Sequence, residues 1–196
     1  MGYVILTVMV GGTFAVGWWL RQINRSLNDL RNRCRKQLSV LLEHIEQRHL
    51  ILSHLQDQLG DSEDVDRSRI QRASDRTQKA VDRVNSAAPK PADLTRLADR
   101  LRESFVATDE IVERYDKSKT NLSDSFVGCL EGTKASSRQI VESIATYNSS
   151  VITYRVYVNS TTAISRRIHT IAEYRELDIN PTHSSDSANA PPLRTA

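Results

Sequence analysis

From Gly2 to Leu20 the chain carries no charged side chain, and from Arg21 to Leu59 it contains neither glycine nor proline. An uncharged run of this length approaches the roughly 20 residues that cross a hydrocarbon core at about 1.5 Å rise per residue. Tyr3 stands near one border and Trp18 and Trp19 at the other, where amphipathic rings favour the lipid interface, and Arg21 closes the run abruptly. The expectation is a single transmembrane helix over 1–22, with Gly2, Tyr3, Trp18, Trp19 and Leu20 in the span. A cleaved signal peptide is disfavoured, because the basic leader and a small-x-small cleavage site are both missing.

Charge sets the direction of the span. No base precedes it, whereas Arg21, Arg25, Arg31, Arg33, Arg35 and Lys36 follow against one acid, Asp29. Positive residues resist translocation, so the N-terminus is expected outside the cell membrane and the rest of the chain in the cytoplasm. Arg21 and Arg25, on the cytoplasmic flank, lie close enough to the headgroups to add an attraction of about 1 kcal/mol each. The formal net charge is +3, so once this cluster is set aside the remainder is slightly acidic. The basic character is therefore local, and nucleic acid is disfavoured as a partner.

Past the anchor, apolar residues recur at Ile23, Leu27, Leu30, Cys34, Leu38, Leu41, Ile45, Leu52, Leu55 and Leu59, in steps of three and four with one doubled step. This is a long amphipathic helix, with Gly60 placed as its C-terminal cap and Asp61 or Ser62 as the next N-cap. A second helix over 62–87 has a thin stripe of Ile70, Ala73, Thr77, Ala80, Val84 and Ala87, and the prolines at 89 and 91 end it. A third buries Leu94, Leu97, Leu101, Phe105, Val112 and Tyr115. A fourth, capped at Asn121, carries Leu122, Phe126, Cys129, Leu130, Ile140, Ile144, Tyr147, Val151, Tyr154 and Val158, with a polar gap after Leu130.

Four stripes on short connections imply an all-α fold, an antiparallel four-helix bundle with long first and fourth helices, an extended coiled coil being the alternative. The expected organisation is an anchor over 1–22, a helical domain over 23–175 that ends in a short helix near 162–174, and a disordered tail over 176–196. That tail is rich in Ser, Asn, Ala and Pro and cannot build a core of its own.

Chemistry is sparse. Glu46 and His49 form one Glu-x-x-His, whereas di-metal bundles need two such motifs and further carboxylates. His44, His49 and His54 recur every five residues, which walks them around the helix. Cys34 and Cys129 are the two cysteines, too few for a zinc signature and expected as packed thiols, although spacing leaves a bridge between them open. No nucleophile elbow, Walker loop or dinucleotide fingerprint is present. Neither catalysis, a cofactor nor a small-molecule substrate is expected.

One set of residues resembles a known family. Ile23-Asn24, Leu30-Arg31-Asn32-Arg33 and the run Arg48-His49-Leu50-Ile51-Leu52-Ser53-His54-Leu55 fall at intervals similar to the Tyr-Asn start, Leu-Arg-Asn-Arg run and Arg-His-Asp-Leu-Ile-Pro-Asn-Leu segment of the LemA family. Tyr147-Asn148, Val151 and Tyr154 resemble its late Tyr-Asn-x-x-Val-x-x-Tyr-Asn, with Arg155, Ser160 and Thr161 where Asn, Phe and Pro are usual. The resemblance covers about residues 1 to 175 and implies a membrane-anchored antiparallel four-helix bundle with no catalytic residue to carry over. Asn24, Tyr147 and Asn148 are expected either to fix helix register or to belong to a partner-binding surface.

Taken together, the residues favour a non-enzymatic, membrane-anchored bundle that engages the bilayer and a protein partner or scaffolds an assembly. A sensor whose span couples to the bundle through the continuous first helix is the rival, with a hydrolase or metal enzyme third.

Overall fold

The computed structural model describes residues 2–59, 64–86, 90–117, 123–161, 174 and 176–179; the side chains of 2–10, 64, 86, 116 and 117 fall outside the description. Four helices follow in order: α1 (Gly2–Gln58), α2 (Asp64–Ser86), α3 (Pro91–Lys117) and α4 (Asp124–Ser160), and no strand occurs among the described residues. The all-helical expectation holds, with the first and fourth helices the longest at 57 and 37 residues.

Cross-helix contacts give the directions. His44 meets Ser143, Arg48 meets Ser136 and Ser137, and Ile51 meets the position of Gly132, so numbers rise along α1 as they fall along α4. Arg69 with Glu110, Arg76 with Glu103 and Thr77 with the Arg100 carbonyl set α2 against α3 in the same way. Both pairs are antiparallel. α1 packs chiefly on α4 and α2 on α3, with α1 also lying along α2.

The expected stripes form the core, since side chains three and four apart share one helix face. Leu38, Leu41, Ile45, Leu52 and Leu55 of α1 are buried, as are Leu94, Leu97 and Leu101 of α3 and Ile140, Ile144, Tyr147 and Val151 of α4. The apolar set splits into two clusters. One contains Cys34 to Ile45, Ala80 to Val84, Leu94 to Leu101 and Ile140 to Val158; the other contains Leu52 to Leu59, Ile70, Ile111 to Tyr115, Phe126 and Leu130.

Details differ from the expectation at the start of α4 and at the start of the tail. Ser123 caps α4, its Oγ accepting a hydrogen bond from Phe126 N at 3.2 Å, while Asn121 and Leu122 lie outside the described residues. The caps expected at Gly60 to Ser62 and the short helix near 162–174, Tyr174 apart, also lie outside them. Cys34 and Cys129 are both free thiols in different clusters. The tail expected to lack core contacts from 176 onward instead packs at its start, with Leu177 buried against the first cluster.

The amphipathic stripe of α1 begins at Ile23, so residues 2–22 extend past it as continuous helix. Among the described residues no helix is long and apolar enough to cross a membrane. The first half of the expected span, 2–10, has no described side chains.

Candidate functional site

Two features stand out from an ordinary bundle, one at the end of α1 and one in the middle of the core. At the end, the described part of the α1 extension exposes apolar side chains: Phe14 is 77% and Trp18 71% accessible, with Val16 and Trp19 also open. Clusters of large apolar groups left in water are costly, and on folded chains they mark places where something else covers them. Arg21 and Arg25 follow them, also exposed.

In the core, the polar gap of α4 and the doubled step of α1 come to the same level. Arg48 of α1 points inward there and is only 2% accessible. Its Nη1 donates to the Thr133 carbonyl at 3.1 Å, to Ser136 Oγ at 3.2 Å and to Ser137 Oγ, while Nη2 donates to Thr108 Oγ1 at 2.6 Å. Its guanidinium carbon lies 4.7 Å from the centre of the Phe105 ring, within cation–π reach. Ser74 and Thr77 of α2 and Ser104 of α3 are buried nearby, and Ser74 Oγ lies 2.6 Å from His49 Nδ1. Every helix thus contributes to one polar layer that separates the two apolar clusters.

The layer holds a cation without a carboxylate bonded to it. Burial pulls the Arg48 pKa down from the ordinary guanidinium value to about 10, with Asp109 acting in the opposite direction, so the group is charged at neutral pH. Arg48 Nε and Gln78 Oε1 are buried without a hydrogen-bond partner, and both residues line a cavity of about 10 Å³, close to the size of one water.

Of the three residues expected to set register or meet a partner, the fold brings two together. Tyr147 is fully buried in the first cluster, and desolvation pushes its hydroxyl pKa far above 10.0. Asn148, next to it, clamps the C-terminal segment: its Nδ2 donates to the Leu177 carbonyl and its Oδ1 accepts from Leu177 N, both at 2.8 Å. Tyr154 against Tyr174, edge to face at 5.4 Å, and Arg155 with Glu176 fasten the same strap. Asn24 sits apart, exposed on α1, with its Oδ1 accepting from Asn28 Nδ2 at 3.4 Å.

Glu46 and His49 do not join other ligands; among the described residues no group of three His, Cys, Asp or Glu is placed to hold a metal ion. Sequence patterning missed Arg48 as a core residue, because a base in an apolar stripe reads as an interruption rather than an inward side chain. It also missed a stripe on α2, where Arg69, Arg72, Arg76, Lys79 and Arg83 recur at steps of three and four. Charge totals hid that stripe behind acids on other faces. No family model, curated protein or solved structure matches the chain.

Proposed function

We propose that this chain is a membrane-anchored helical bundle of LemA type, tethered by residues 2–22 and acting as a non-enzymatic interaction or scaffold module on the cytoplasmic face. The observation that carries the reading is the row of exposed apolar side chains from Phe14 to Trp19 on a helix that continues past the bundle. A bilayer is a partner that would cover such a row on all sides at once, and Arg21 and Arg25 stand where a cytoplasmic headgroup layer would meet them.

Deletion of 2–22 followed by flotation of membranes tests the tether. The full chain is expected to float with lipid and the shortened chain to stay in the soluble fraction; flotation of both would refute an anchor at this place. Protease added outside intact cells is expected to leave the bundle intact, and its digestion there would refute the cytoplasmic orientation.

A second reading, a sensor that passes a signal from span to bundle, is favoured by the unbroken run of α1 from Gly2 to Gln58. It predicts that a flexible glycine linker inserted after Arg25 abolishes function, whereas a simple tether keeps working with the linker in place.

A further inference from the structure

The basic stripe of α2 lines one side of an open groove along α3. Arg69, Arg72 and Arg76 form one wall, Arg102 and Glu103 the other, and Ala73, Val106 and Ala107 give it an apolar floor, enclosing about 540 Å³. Val106 is 53% accessible there. A second depression of about 240 Å³ continues the groove from Arg76 past Lys79 and Arg83 to Arg96 and Arg100. Across both, the lining bases far outnumber the two lining acids, Glu103 and Asp93. Over α2 and α3 as a whole acids and bases balance. The excess of bases is therefore a property of this seam, made by the arrangement of the residues.

We infer that the α2–α3 groove is a docking surface for an acidic amphipathic helix of a partner protein. The inference rests on the reading of the chain as a partner-binding bundle and names where the partner sits. Charge complementarity selects the sign, because Asp or Glu at helical spacing would face a stripe of bases at the same spacing. The floor selects a helix with small or aliphatic residues between its acids, as in other helix-in-groove pairings. A lipid surface fits worse: if α1 is continuous with a span, the bundle axis rises from the membrane, and the stripe from Arg69 to Arg83 is spread over about 21 Å of height. A duplex fits worse too, because Glu103 and Asp93 sit within the groove and Glu110, paired with Arg69, at its edge. Their carboxylates would repel phosphates, which carry no apolar surface for Val106 to meet.

The test uses the full chain in neutral-lipid nanodiscs and a displayed library of helices whose groove-facing positions vary among Asp, Glu, Lys, Arg, Ala and Leu. Selection is expected to enrich Asp or Glu at steps of three and four, separated by Ala or Leu. An individual selected helix should bind about tenfold more weakly to the Arg72→Glu/Arg76→Glu variant, and more weakly again when salt is raised across the screening range. Arg138→Glu, at an exposed position of α4, should bind as the parent does. Val106→Asp supplies a second variant that weakens the same helix without reversing a base, and unchanged helicity by circular dichroism shows each variant folded.

Enrichment of basic helices, no enrichment, an equal loss with Arg138→Glu, or displacement of the helix by duplex DNA or phosphatidylserine vesicles would each overturn the inference. Flotation of the same preparation reads the anchor separately. A failed groove and a failed anchor are thereby distinguished.

Discussion

Arg48 illustrates how a single side chain organises a core. Its charge is surrounded by hydroxyls and a carbonyl, and desolvation of an unpaired cation is expensive even when both terminal nitrogens are hydrogen-bonded. The hydroxyls do not depend on it: Thr108 donates to the Ser104 carbonyl, and Ser136 and Ser137 donate to that of Thr133. Replacing Arg48 by Met removes the buried charge, keeps most of the volume and leaves those bonds in place. Arg48→Met is therefore expected to raise stability by about 1–4 kcal/mol in thermal unfolding. Arg48→Ala, which leaves a cavity, is expected to lower it by about 2–4 kcal/mol. A Met variant that unfolds earlier than the parent would show the guanidinium contributing net stability.

Titration of the core makes a second residue-scale prediction. The pKa of Tyr147 is raised above 10.0, chiefly by desolvation, and that of Cys34 above 9.0 for the same first cause. A group whose pKa is raised on folding contributes stability that is present below its unfolded value and lost as pH climbs through the folded one. Arg48 acts in the opposite sense: with its pKa lowered on folding to about 10, its penalty is full below that pH and is relieved above it. Against that partial relief, the bundle is expected to lose stability above pH 9 to 10. Tyr147→Phe should move the alkaline midpoint of unfolding upward, and an unchanged midpoint would show that ionisation of this ring does not drive the loss.

At the scale of elements, the helices were legible in the sequence because their apolar periods are long and Gly60, Pro89 and Pro91 fall at their borders. The polar layer was not. The gap from Leu130 to Ile140 and the doubled step from Ile45 to Leu52 are each visible, but that they meet depends on the offset between α1 and α4, which contacts such as His44 with Ser143 reveal. The strap formed by 174 and 176–179 was likewise hidden, since Leu177 is held by Asn148, 29 residues earlier, and not by any period of its own.

α2 is the element with the least to hold it. Ile70, Val81 and Val84 are its large buried apolar side chains, and Ser74, Thr77 and Asp66 occupy other inward positions. Of its ion pairs to α3, Arg69 with Glu110 and Arg76 with Glu103 are solvent-exposed and contribute about 0–1 kcal/mol each, whereas Arg114 with Asp66 is partly buried. Hydrogen exchange is expected to be fastest in α2 among the bundle segments and slowest where α1 and α4 pair around Leu41 and Tyr147. Uniform protection across all four helices would contradict this ordering.

For the whole molecule, α1 joins two sequence patterns in one continuous helix. Its bundle half is amphipathic and its first residues are apolar without alternation, a change of pattern at Arg21 that was plain in the sequence, as was the border formed by the tryptophans. The structure adds that Trp18 and Trp19 are exposed on the side of Ile23 away from the bundle. They are also the two tryptophans of the chain, so tryptophan emission, excited selectively, reports on this place and no other. The most direct measurement is emission from the full chain reconstituted into vesicles whose lipids carry bromine either just below the headgroup or near the bilayer centre. Anchoring through 2–22 predicts blue-shifted emission quenched most strongly by the shallow bromines. Red-shifted emission that neither bromine position quenches would place the tryptophans in water and contradict the anchor.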